Sequence, residues 1–124
     1  MPRVRTSRDL VVWQRSIDLV TQAYSLTDGF PRREVYGIVA QIRKSAVSVP
    51  ANIAEGSARP TTKDFIRFLG IAMGSLRELQ TYFEISRRLA FATDGQLEPV
   101  AKLADETGAL LSRMGFALRR KAGR

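Results

Sequence analysis

The sequence predicts an all-α protein, an up-down-up-down antiparallel four-helix bundle. Three observations predict it. Apolar residues recur at steps of three and four along most of the 124 residues. The clusters "TDGFP", "SARP" and "TDGQLEP" divide that pattern into four runs. No stretch shows convincing strand alternation. Short links between long helices favour antiparallel neighbours, which gives the bundle its expected topology.

The first run holds Leu10, Trp13, Ile17, Val20 and Tyr24 and predicts helix one over residues 9–28. Ser7 or Asp9 can cap its start, and Gly29 and Pro31 end it. Helix two, over 33–57, carries Val35, Ile38, Ile42, Ala46, Val49 and Ile53, and ends near Gly56. Pro50 stands inside it. A proline there removes a backbone donor and collides with the carbonyl of Ala46, at a cost of about 3 kcal/mol. The apolar spacing nevertheless keeps its phase from Ala46 to Ile53. That favours a helix kinked at Pro50, the alternative being that Ser48 caps a short new helix beginning at Val49.

Helix three is expected over 62–91, with Phe65, Leu69, Ala72, Leu76, Leu79, Phe83, Ser86 and Leu89 on one stripe. Thr61 or Thr62 can cap it, and Asp64 in the first turn suits the positive end of the helix dipole. Helix four carries Leu97, Val100, Ala104, Leu111, Met114 and Leu118 to about residue 120. Pro99 is placed in its first turn, where a missing N–H costs little.

A polar line runs beside the apolar stripe of helix two: Gln41, Ser45, Ser48, Asn52, Glu55 and Arg59. It lies about 100° round from the core positions. Glu55 and Arg59 are four apart and can pair. On helix three, Gly70 and Gly74 share a face, although each glycine costs about 1 kcal/mol relative to alanine. The expectation is a close approach of helices two and three there, with Asn52, Glu55, Ser75 and Glu78 in a hydrogen-bonded network. Otherwise the glycines simply accommodate bulky core neighbours. Within such a network, Glu55→Ala would strand its partners and destabilise the fold.

One domain over 1–124 is expected, with basic tails at 1–8 and 119–124. Apolar residues make up 44% of the chain, enough for a core without disulfides or metal. There is no cysteine, which removes thiolate chemistry and cysteine-bound zinc. There is no histidine, so the commonest general base and the Glu-x-x-His di-iron pattern are both missing. Ser45, Ser48 and Ser75 have no visible base. No catalytic residue, metal site or cofactor is therefore expected. An enzyme built on carboxylates or lysine is a distant alternative. No signal peptide or membrane-length apolar run is visible, so a soluble cytoplasmic protein without a membrane role is expected.

The net charge is +8, from 20 Lys and Arg against 12 Asp and Glu. Arg3, Arg5, Arg8, Arg119, Arg120, Lys121 and Arg124 sit in the tails; 20 less these seven leaves 13 cations against the 12 acids. The excess charge is thus terminal. Basic ends suit a polyanion, nucleic acid before an anionic membrane surface. Arg32, Arg33, Arg43 and Lys44 can join a basic surface. Trp13, Tyr24, Tyr36 and Tyr82 fall on or near helix stripes and read as core or interface residues rather than base-stacking platforms.

The segments "DLVVWQRSIDLVTQAYSL", "FPRREVYGIVAQIRKSAVSVPANIAEGSAR" and "DFIRFLGIAMGSLRELQTYFEISRRL" resemble the 23S rRNA-intervening-sequence proteins. The match covers residues 9–91, and helix four shares only general character. The resemblance implies a four-helix bundle that assembles into a homo-pentamer around a central channel. The chain is also similar to the accessory protein of diversity-generating retroelements, a pentameric bundle that binds nucleic acid and a reverse transcriptase. The resemblance carries over no catalytic residues. Its signature falls on Trp13, Pro31, Gln41, Arg43, Pro50, Asn52, Glu55, Gly56, Arg59, Phe68, Leu69, Gly74, Ser75, Glu78 and Leu79. Where the family often has a basic residue before the Gly-Ser pair, this chain has Met73. The expected function is a non-enzymatic, oligomeric bundle that binds RNA or DNA through basic ends and surfaces. The alternative is a homo-oligomeric scaffold that docks another protein and has no nucleic-acid role.

Overall fold

The computed structural model describes residues 10–123. Four α-helices follow one another: α1 Val11–Thr27, α2 Ile38–Ser57, α3 Thr62–Arg88 and α4 Asp94–Ala122, with a 3₁₀ turn at Arg32–Glu34. Among the described residues there is no strand. Each helix packs on its sequence neighbours, and α1 closes the ring on α4. The pairs of touching residues set the directions. Ser48 meets Ser75, while Gly56 lies against Phe65 and Phe68. Gly108 lies against Leu76, while Ala101 and Leu97 share a groove with Phe83 and Arg87. Arg15 meets Glu106, while Gln22 and Leu26 line a groove with Gln96 and Val100. In all three pairs, positions rise on one helix as they fall on the other, so the paired helices run antiparallel.

The core stripes of α2 and α3 match the apolar spacing. Ile42, Ala46, Val49 and Ile53 of α2 are wholly buried, as are Ala72, Leu76 and Leu79 of α3. Helix α2 continues through Pro50 without interruption, so no separate helix begins at Val49. It starts later than residue 33, however. The 3₁₀ turn and Gly37 come first, and Val35 is 49% exposed rather than part of the core.

On α1 the buried line is displaced by about one position. Val12, Ser16, Leu19, Ala23 and Thr27 face inward, while Trp13 and Val20 are half-buried and Tyr24 is exposed. Three of the five positions on this inner line, Ser16, Ala23 and Thr27, hold small side chains. Its hydroxyls stay satisfied by local bonds: Ser16 Oγ donates to the Trp13 carbonyl at 2.7 Å and Thr27 Oγ1 to the Ala23 carbonyl at 2.9 Å. Ser86 and Thr107 use the same device on α3 and α4. Ser7 and Asp9, the expected caps of α1, lie outside the described residues.

Helix α3 ends at Arg88, before residue 91, and Leu89 is exposed. Ala90 then adopts a left-handed conformation, φ 58°. The Phe91 N–H donates to the Ser86 carbonyl at 2.9 Å and the Ala90 N–H to the Arg87 carbonyl at 3.1 Å, the paired bonds of a Schellman cap. Helix α4 begins at Asp94 under a reciprocal capping box. The Gln96 N–H donates to Thr93 Oγ1 and the Thr93 N–H to Gln96 Oε1. Pro99 therefore falls in the second turn, not the first. It is exposed there, so water can reach the carbonyl that its missing N–H leaves open.

Gly70 and Gly74 do not face α2. A Cβ on either would meet nothing within 4 Å. The inward line of α3 runs through Leu69, Ala72, Leu76 and Leu79, and the two glycines fall outside it. The close approach occurs instead at Gly56 of α2, where a Cβ would stand 2.7 Å from Phe68 Cβ and 3.0 Å from Phe65 Cδ1. The expected polar network forms only in part. Ser48 Oγ and Ser75 Oγ are 2.7 Å apart, and Asn52 Nδ2 donates to the Ser48 carbonyl and hydroxyl at 2.8 and 3.0 Å. Glu55 pairs with Arg59 at 2.8 Å on the surface, and Glu78 is exposed; neither joins the network.

Candidate nucleic-acid interface

The helix directions sort the cations into two ends. Leu10, the α2–α3 link at 58–61 and the C-terminal turns of α4 share one end. The α1–α2 connection and the α3–α4 link share the other. The tail residues Arg3, Arg5, Arg8 and Arg124 lie outside the described residues. Arg119, Arg120 and Lys121 belong to the first end, Arg32, Arg33 and Arg43 to the second. The structure therefore does not bring these two candidate sets together.

At the link end, Thr61 caps α3 by accepting the Asp64 N–H at 3.2 Å. Gly56 lets the end of α2 meet the first turns of α3, which sets Phe68 between two arginines. The Arg59 guanidinium lies 4.8 Å from the ring centroid and that of Arg67 4.4 Å. Each also has a carboxylate, Glu55 for Arg59 and Asp64 for Arg67. This pairing lowers the charge they offer to an external anion. Lys63 beside them has no ion pair among the described residues.

The end of α4 differs in kind. After Glu106 the chain has no Asp or Glu, while Arg113, Arg119, Arg120, Lys121 and Arg124 follow. Among the described residues none of Arg113, Arg119, Arg120 and Lys121 has an ion pair. Arg119, Arg120 and Lys121 also stand in the last turn, where the helix dipole favours cations. All three are exposed, and no carboxylate among the described residues pairs with them.

At the far end the charges are neutralised locally. Arg43 donates to Thr27 Oγ1 at 3.0 Å and to Asp28 Oδ1 at 2.9 Å, and it stacks 4.5 Å from the Tyr24 ring. Its role is to tie α2 to the end of α1, so little of its charge is free. Arg33 lies 4.0 Å from Glu34. Arg87, and next to it Arg88, hydrogen-bond Glu84 and hold its carboxyl down at about 2. Arg32 and Lys44 are exposed with no ion pair among the described residues, but they stand apart from the α4 cluster.

Two further features bear on chemistry. Among the described residues, no group of three or more Asp, Glu, His or Cys side chains is placed to hold a metal ion. No described helix is long and apolar enough to cross a membrane. Sequence reasoning missed Phe116, a phenylalanine 61% exposed within the basic end of α4. Its signal was available: it stands off the apolar stripe of Leu111, Met114 and Leu118.

Comparison with known proteins agrees with this architecture. A solved structure, a protein of unknown function from the S23 ribosomal protein family of Bacteroides thetaiotaomicron, is similar to this chain with a TM-score of 0.76 and 25% identity. The likeness covers 84% of this chain and 97% of that one. None of the curated proteins compared with it matches. The sequence model of the 23S rRNA-intervening sequence proteins matches residues 8–113, through all of α1, α2 and α3 and into α4. The four packed helices and this match together assign the chain: it belongs to the 23S rRNA-intervening sequence protein family.

Proposed function

We propose that the protein is a non-enzymatic, oligomeric bundle that binds RNA or DNA at the end of the fold that carries the α2–α3 link and the last turns of α4. One observation carries the reading: the last three turns of α4 hold Arg113, Arg119, Arg120 and Lys121 with no acid after Glu106. The α2–α3 link adds Arg59, Lys63 and Arg67 at the same end. Phosphate contacts by such residues dominate affinity and confer little sequence preference. Binding should therefore weaken steeply with salt, by about 0.9 log units per log unit of salt for each duplex phosphate neutralised. The test is titration of the full-length protein with RNA and DNA probes across a salt series. Deleting residues 1–8 and 119–124 should abolish binding. A full-length protein with no affinity for either polymer at low salt would defeat the reading.

The outer face of α3 favours a second role, self-assembly. A Cβ on Gly70 or Gly74 would meet nothing there, Ile71 beside Gly70 is exposed, and Ile85 is exposed about three turns beyond Gly74 along α3. Two such glycines cost helix stability and serve no packing inside one chain. A homo-pentamer, and kinship with the retroelement accessory proteins, belong to this proposal on the strength of sequence resemblance. Light scattering on the purified protein tests the mass. A monomer at all concentrations would remove the oligomer, and capture of a specific protein without nucleic acid would favour the scaffold.

A further inference from the structure

Arg113, Phe116, Ala117 and Arg120 are separated by steps of three, one and three, and so share one face of α4. All four are exposed. The Arg120 guanidinium lies 5.9 Å from the Phe116 ring centroid, which leaves most of that ring open. No carboxylate pairs with either arginine among the described residues. An open aromatic ring between uncompensated cations gives the chain no folding advantage. It does match one ligand chemistry. A single-stranded polynucleotide offers phosphates to the cations and an unpaired base to the ring.

We infer that this face binds single-stranded nucleic acid, with Phe116 stacking on an unpaired base while Arg113 and Arg120 hold the flanking phosphates. The inference rests on the nucleic-acid reading above and sharpens it. A duplex hides its base faces in its own stack, so it can use the arginines but not the ring. Tyr36, still more exposed at 94%, lies at the opposite end, where Arg33 is paired with Glu34 and no arginine stacks on the Tyr36 ring among the described residues. The face also contrasts with Phe68, whose ring is buried under Arg59 and Arg67 and has no surface left for a base.

The experiment compares full-length protein with Phe116→Ala, Phe116→Trp and the pair Arg113→Gln/Arg120→Gln. The probes are an oligothymidylate and a duplex of equal length, compared at matched low salt and, for wild type and the arginine pair, across a salt series. Phe116→Ala should weaken the single strand about five- to a hundredfold, the range one base–aromatic stack supplies, and leave the duplex unchanged. Phe116→Trp should restore single-strand affinity and show fluorescence quenching beyond that of the native Trp13. Arg113→Gln/Arg120→Gln should weaken both probes and lower the salt slope by about two. If that pair weakens binding but Phe116→Ala does not, the stacking role is wrong while the nucleic-acid reading stands. Equal losses on both probes, or a change in oligomeric mass with Phe116→Ala, would also overturn it; the latter would mark the face as a self-association surface. Wild-type protein that binds neither probe would end both readings together. Melting curves that match wild type show that each variant is folded.

Discussion

Ser48 Oγ and Ser75 Oγ lie 2.7 Å apart and form a direct polar tie between α2 and α3. Ser75 is buried, so its hydroxyl has little access to water. Ser48→Ala should cost about 1–2 kcal/mol, because it strands Ser75 and removes one acceptor of Asn52. The melting temperature should fall by about 3–6 °C per kcal/mol for a chain of this size. Glu55→Ala should change stability by less than about 0.5 kcal/mol, since its exposed pair with Arg59 contributes little. A larger loss at Glu55 than at Ser48 would reverse this assignment.

The glycines should separate into two classes. Gly56→Ala places a Cβ 2.7 Å from Phe68 Cβ, an atom too near its own backbone to swing away. Overpacking of this kind costs about 1–3 kcal/mol, more than the roughly 1 kcal/mol that alanine returns in helix propensity. Gly70→Ala and Gly74→Ala meet nothing and should each stabilise an isolated chain by up to about 1 kcal/mol. Thermal melts measure all three. If α3 self-associates through this face, Gly74→Ala should also lower the assembled mass in light scattering.

Ala90 occupies a left-handed conformation that glycine adopts without strain. Ala90→Gly should therefore stabilise the Schellman cap of α3 by about 0.5–1 kcal/mol, net of the entropy that glycine adds to the unfolded chain. An unchanged or lower melting temperature would show that the cap is not strained.

Glu84 is the one carboxylate among the described residues with two arginine hydrogen bonds, from Arg87 and Arg88. Its carboxyl titrates at about 2 rather than at its ordinary 4.5. The sign follows from the direction. A depressed folded value means a favourable contribution that is fully present above the unfolded value and is lost as pH falls through about 2. Carbon-detected NMR of the Glu84 carboxyl should give this midpoint. Arg87→Gln, and then Arg88→Gln, should move it back upward; an ordinary midpoint in wild type would refute the pairing in solution.

How much of this was legible in the sequence depended on side-chain size. Ile42, Val49, Ile53, Leu76 and Leu79 are both apolar and central, so periodicity finds them. On α1 the most apolar line, Trp13 to Tyr24, is not the most buried one. Periodicity ranks hydrophobicity, whereas close packing selects the small Ser16, Ala23 and Thr27. The start of α4 was written in the sequence as Thr93-x-x-Gln96, but Pro99 draws the expected start later. For the interface, the cations themselves were visible. Their division between two ends was not, because it depends on helix direction. Nor does charge counting reveal that Asp28 and Thr27 already hold Arg43.

The antiparallel ring also fixes where new chain ends can be placed. Leu10 and Ala122 stand at the same end of the bundle, so a short flexible linker could join their flanking segments into one continuous turn. Opening the chain between the exposed Tyr36 and Gly37 would then give a circular permutant that keeps all four helices and moves both free termini to the opposite end. In that molecule the basic residues would sit within a closed loop. Polyanion affinity could then be measured with the charges retained and the points of chain entry and exit moved to the opposite end of the bundle.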